Sequence, residues 1–250
     1  MTKIKSTLFI SIFICLSACS DNKIKYSNSI ISSPHPLATQ AGKIIYSKGG
    51  NAFDAAVAAS FALSVVEPSM SGIGGRLQVI YKQANGDVLG IDGTTQIPQN
   101  FIDQENNLPS YGYKTIGIPG VVAGLIKLHE ENGLLNLKSV MEPAIKLAEE
   151  GFIILPGEIK RQQSEKDKLN EFDGSKKYFL DSKGDSFEIG DRLIQEDLAY
   201  TLKVISEKGK KGFYDGEIAK KIAEDIQLNG GFISLNDLKN YSAKKSTVLV

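Results

Sequence analysis

Histidine and cysteine, the side chains most tuned to acid–base, nucleophilic and metal chemistry near neutral pH, are scarce in this sequence. Histidine occurs only as His35 and His129, cysteine as Cys15 and Cys19, and arginine as Arg76, Arg161 and Arg192. Two isolated histidines without clustered cysteines form no zinc spacing, so neither a metal nor another cofactor is expected. His35, followed by Pro36, reads as a loop residue rather than a catalytic base. Gly72, Gly74 and Gly75 sit in Ser71-Gly72-Ile73-Gly74-Gly75, which matches neither G-x-G-x-x-G nor a Walker sequence and is therefore no phosphate cradle. Those glycines suit a turn with positive φ or a close backbone approach.

The elements that must position these residues are marked by local signals. Leu37 to Lys48 and Asn51 to Val66 read as successive helices. Gly49 and Gly50 suit the left-handed end of the first, and Asn51 with Asp54 makes a capping box for the second. Between Ala52 and Val66 only Asp54, Ser60 and Ser64 are polar, so this helix is apolar nearly all round and must be packed on more than one side. Leu77 to Tyr81 and Val88 to Asp92 flank Asn85-Gly86, a strong hairpin signal. Further on, Val121 to Glu131 reads as a helix ending at Gly133, and Pro143 as a first-turn residue of a helix ending at Gly151. Residues 160 to 192 read as a charged surface excursion. Ile218, Ile222 and Ile226 mark an amphipathic helix stopped by Gly230-Gly231, and Ser234 with Asp237 forms another capping box. By pattern alone the fold is α+β or α/β.

At 250 residues, 42% hydrophobic and 23% charged, the chain can bury a core. Lys3 and Lys5 precede the apolar run Leu8 to Leu16, which is too short to span a bilayer, and Leu16-Ser17-Ala18-Cys19 follows. Residues 1–18 thus read as a signal peptide. Leu-Ser-Ala-Cys resembles the lipobox of bacterial lipoproteins, which makes Cys19 a lipidation site and places the protein in the bacterial cell envelope. Cys15 would leave with the signal, so no disulfide is expected. Residues 19–34 then form a tether, and 27 basic against 29 acidic groups remain after residue 18, a balance that attracts no nucleic acid.

A family resemblance is carried by ordered blocks. His35-Pro36-Leu37-Ala38, Gly49 to Ala59, Val65-Val66-Glu67-Pro68 and Ser71 to Gly75 are followed by Gly117-Ile118-Pro119-Gly120 and Pro143 to Ala148. Phe213-Tyr214 with Gly216 and Gly230 to Ile233 with Asp237-Leu238 and Tyr241 close the series. Together they resemble the N-terminal part of the large subunit of gamma-glutamyltransferases, from about His35 onward. The resemblance implies an α+β fold, the αββα sandwich of N-terminal-nucleophile hydrolases, present here as an incomplete N-terminal portion over residues 35–250. It also implies a small-molecule γ-glutamyl substrate, such as glutathione, a role for the Ser71 to Gly75 loop in lining its pocket, as an alternative to a plain turn, and a partner small subunit. That subunit's N-terminal threonine acts as nucleophile, with its own α-amino group as base, to form an acyl-enzyme that water or an acceptor amine resolves. Such a threonine is expected beyond Val250, so the 250 residues alone are expected to be inactive and to contain no catalytic residue. The apolar helix after Asn51 is likewise expected to pack against the missing half. Thr247 lacks a threonine-rich processing context and reads as a strand residue.

The chain departs from the family in Asp92-Gly93-Thr94-Thr95-Gln96-Ile97-Pro98. Thr94 stands where the family carries an arginine that binds the substrate α-carboxylate. Arg76, next to the glycine loop, is the candidate replacement. Thr94 and Arg76 are therefore the expected substrate-binding residues. Alternatives are an acylase-like relative whose substrate lacks that carboxylate, and an inert surface lipoprotein.

Overall fold

The computed structural model describes residues 29–102 and 109–247. The described residues from Ile31 onward form one compact unit. Cys19, the expected signal peptide and most of the tether lie outside the described residues.

Helix α1 (Pro36–Ser47) opens with proline in its first turn and closes through Lys48. Gly49 adopts φ +87°, its N–H donates to Tyr46 O at 3.0 Å, and the Gly50 N–H donates to Ile45 O at 3.0 Å. This is the Schellman arrangement, which satisfies two carbonyls of the last turn. Helix α2 (Ala52–Val66) follows at once: Asn51 Oδ1 accepts from the amides of Phe53 and Asp54, and Asp54 Oδ2 accepts from the Asn51 amide at 3.0 Å.

The expectation that α2 needs a partner from outside the chain is not met. Ala55, Val57, Ala58, Phe61, Ala62 and Val65 are fully buried by α1, α3 (Val121–Asn132) and α4 (Leu137–Glu150). An all-round apolar helix demands packing on several sides, and its own neighbours supply them. Asp54, also fully buried, accepts the Leu134 amide at 3.0 Å and faces His129 Nε2 at 3.5 Å, which ties the start of α2 to the end of α3.

Pro143 is a second correction. It is an interior residue of α4, which begins six residues earlier, where Asn136 Oδ1 accepts the Ser139 amide at 2.9 Å. Proline removes one intrahelical donor there, but Val140, Met141, Ala144 and Ala148 are fully buried along one face. That burial carries the helix through the proline.

Residues 160 to 192 are largely exposed, as expected, yet ordered. Helix α5 (Pro156–Ser164) is followed by α6 (Lys166–Asn170) and α7 (Asp173–Phe179), and β3 (Phe152–Ile153) pairs with β4 (Arg192–Leu193). The chain continues through α8 (Glu196–Lys208), α9 (Lys210–Tyr214), α10 (Glu217–Leu228) and α11 (Leu235–Asn240), the last capped reciprocally by Ser234 and Asp237.

Strands β1 (Leu77–Lys82) and β2 (Val88–Gly93) form the expected hairpin, with Gly86 at φ +98° in its turn. β5 (Lys244–Thr247) adds antiparallel to β2, giving the sheet order β1-β2-β5, so Thr247 is a strand residue. Tyr81 and Ile91 point into the helical layer, whereas Ile80, on the opposite face, is 70% exposed. No helix among the described residues is long and apolar enough to cross a membrane.

Candidate functional site

The hairpin register decides where the two expected substrate-binding residues lie. Its last pair is Leu77 with Gly93, so Arg76 immediately precedes one strand and Thr94 immediately follows the other, both at the open end of the ribbon. Arg76 is exposed and Thr94 is half-buried. Among the described residues, Arg76 makes no ion pair.

Every polar atom of Thr94 is engaged within the chain. Its amide donates to Asp92 Oδ1 at 2.9 Å, its hydroxyl donates to the same oxygen at 2.5 Å, and its carbonyl accepts from the Tyr241 hydroxyl at 2.8 Å. The Thr94 hydroxyl, then its amide, hold the Asp92 carboxyl below the usual carboxylate range, and Lys244 adds to the effect. The hydroxyl of this expected substrate-binding residue is thus already donated within the chain.

Three backbone segments converge behind Arg76 and Thr94. Gly75 O accepts from the amides of Gly120 and Val121 at 2.8 and 3.2 Å, and Gln96 pairs with Ile118 through two backbone hydrogen bonds of 3.2 and 2.8 Å. A Cβ on Gly120 would lie 1.8 Å from Gly93 O and 2.3 Å from the Tyr241 hydroxyl, which explains glycine at 120. Tyr214 closes the same knot, donating to Pro119 O at 2.8 Å and accepting from the Ala123 amide at 3.2 Å. The rings of Tyr214 and Tyr241 stack at 5.4 Å with 9° between their planes, and burial pushes both phenols up.

The glycine loop beside this knot departs from its structural reading. None of Gly72, Gly74 and Gly75 has positive φ. A Cβ on Gly72 or Gly74 would meet nothing within 4 Å, and one on Gly75 would make only ordinary contacts. Neither backbone conformation nor packing within the chain therefore calls for glycine at 72 or 74. Two cavities border the loop: one of about 270 Å³ touches Ser71, Gly72 and Ile73, and an apolar one of about 420 Å³ touches Ile73 and Gly74.

His35 is not a loose loop residue. It caps α1, its Nδ1 accepting the Leu37 amide at 3.1 Å, and it is 2% exposed. Burial pushes its imidazole down, against the pull of Glu67 and Glu158. Among the described residues, no three His, Cys, Asp or Glu side chains converge as a metal site would require. Sequence reasoning gave Tyr214 and Tyr241 no role at the site, because nothing local to either residue signals a bond to Pro119 or Thr94.

Residues 38–250 match the family model described as gamma-glutamyltranspeptidase. This chain belongs to the gamma-glutamyltranspeptidase family. A glutathione hydrolase proenzyme of Pseudomonas sp. (strain A14) is 33% identical over 242 residues, an alignment covering 91% of this chain and 41% of that protein. The gamma-glutamyltranspeptidase of Helicobacter pylori superposes with a TM-score of 0.82 at 36% identity, covering 88% of this chain and 66% of that one. A cephalosporin acylase from Bacillus halodurans superposes with a TM-score of 0.76 at 27% identity, covering 88% of this chain and 46% of its own. The fold is accordingly the N-terminal-nucleophile hydrolase type of the gamma-glutamyltranspeptidases. This chain spans about two fifths of the length of the curated relatives it matches.

Proposed function

We propose that this chain supplies the substrate-facing part of an enzyme that hydrolyses or transfers γ-glutamyl groups, with glutathione and related amides as substrates. The carrying observation is the hairpin register that brings Arg76 and Thr94 to the same end of the ribbon, next to glycines whose open side the chain itself does not use. Arg76 takes the substrate α-carboxylate in place of the arginine that Thr94 replaces, since a guanidinium offers a forked pair of charge-assisted donors. Gly72 and Gly74 let the substrate approach the backbone closely.

The nucleophile in this reading is the N-terminal threonine of a small subunit lying outside these 250 residues. Its hydroxyl oxygen attacks the γ-carbonyl, its α-amino group takes the proton and passes it to the amide nitrogen, and the C–N bond breaks to release the amine; water or an acceptor amine then cleaves the ester and returns a proton to the threonine oxygen. Support comes from relatives named as proenzymes and from the fraction of their length that this chain matches. Cys19, acylated, holds the protein at the bacterial envelope. The test is turnover of a γ-glutamyl anilide by protein made from the native gene, with mass spectrometry for a fragment beginning in threonine. Absence of both refutes the reading.

A second reading is favoured by one bond. With the Thr94 hydroxyl given to Asp92, this position offers a substrate carboxylate no donor side chain of its own. A substrate without that carboxylate, of the kind an acylase takes, would leave Arg76 unused. Comparing a γ-glutamyl anilide with its α-carboxamide separates the two readings.

A further inference from the structure

We propose that Tyr241 is a positioning residue for the substrate site, its hydroxyl fixing the Thr94 carbonyl and thereby the end of the hairpin that presents Arg76. Tyr241 reaches Thr94 across 147 residues of sequence and is itself 1% exposed, so the donor is held by the core while Thr94 stays half-buried. The remaining polar atoms of Thr94 bond only to Asp92, two residues away, and local bonds of that kind set a turn but not its place in the fold. The Tyr241 hydroxyl is the side-chain link between this turn and the helical layer. Its oxygen also fills the space beside Gly120, next to the Gln96–Ile118 backbone pair that joins the Thr94 segment to the Gly117–Gly120 turn. Tyr214, stacked on Tyr241, holds Pro119 on the other side of the same knot. The two phenols thus divide the work, one per segment.

The assignment rests on the proposed substrate role of Arg76 at this end of the hairpin, but its test needs no turnover. Amide hydrogen exchange is followed by NMR in the full chain and in Tyr241→Phe, which keeps the stacked ring. Tyr81→Phe, which removes a buried hydroxyl without a hydrogen-bond partner, is the control. In Tyr241→Phe the amides of Thr94 and Gln96 should exchange about fivefold faster while those of α2 and α4 keep their rates. Tyr214→Phe should accelerate Ala123 instead, and Tyr81→Phe neither. Unchanged exchange at Thr94 overturns the proposal, as does uniform acceleration along the chain. A Tyr241→Phe protein that fails to fold overturns it too, because the hydroxyl would then hold the whole unit rather than one loop. If the enzyme turns over a γ-glutamyl anilide, KM should rise about fivefold with kcat nearly constant. Inactivity toward every γ-glutamyl amide would sink the proposed function and leave the exchange result to decide this one.

Discussion

Gly120 meets Gly93 so closely that a methyl group on the first would sit 1.8 Å from the carbonyl oxygen of the second. The turn before α3 and the end of β2 are in this way interlocked at backbone level. Gly120→Ala should therefore cost about 2–3 kcal/mol or more, since the atom it meets is backbone and cannot rotate away. Gly74→Ala, which meets nothing, should cost less than about 0.5 kcal/mol while raising KM if substrate uses that space. Urea denaturation of both variants checks the contrast; equal losses would remove the distinction between an interlocked and an open glycine.

Acid should weaken the fold in a window set by His35. Burial depresses its imidazole below the ordinary value of 6.5, so the unfolded chain takes up a proton that the folded chain refuses. Its contribution is complete above pH 6.5 and is lost as pH falls from there to the depressed folded value. Asp92 and Asp237, lowered from 3.8, lose theirs only at more acid pH. His35→Asn, which keeps an acceptor for the Leu37 amide, should flatten stability between pH 7 and pH 5. An unchanged slope in urea melts across that range would assign the effect elsewhere.

Substrate choice should hinge on Arg76. If its guanidinium takes the α-carboxylate, amidating that group should cost roughly 1.5–3 kcal/mol in kcat/KM, and Arg76→Ala should erase the preference mainly through KM. No preference in the wild type would favour the acylase-like reading. A strong preference surviving Arg76→Ala would require a cation from outside these residues.

Cys19→Ser should release the protein from membranes. If the thiol is the acylation point, as proposed, each lost chain removes about 0.8 kcal/mol per buried methylene. Unchanged membrane fractionation, with labelled fatty acid still incorporated, would place the anchor elsewhere.

What the sequence made legible is mostly what is decided within a few residues. Gly49, the Asn51–Asp54 and Ser234–Asp237 boxes and the Asn85-Gly86 turn all form as expected, because caps and turns satisfy their own backbone groups locally. That Arg76 and Thr94 share one end of the hairpin follows from the same turn, since a hairpin loop fixes register. Pro143 misled because first-turn preference is a local rule, and burial of Val140 and Met141 outweighs it. The apolar surround of α2 was legible but not its source, since hydrophobicity does not name its partner. The positive φ allowed for Gly72 to Gly75 is not used, and the Tyr241 bond to Thr94 joins residues too distant for any pattern to connect.

The order of synthesis gives that last bond a further meaning. Tyr241 leaves the ribosome 147 residues after Thr94, about 7–30 s later at roughly 5–20 residues per second. β5, the third strand, emerges later still, so throughout that interval the nascent hairpin keeps a bare β2 edge and an unanchored Thr94. The site's open end is therefore among the last parts of the unit to be locked during translation, and the time before Tyr241 arrives is when a holding chaperone would matter most.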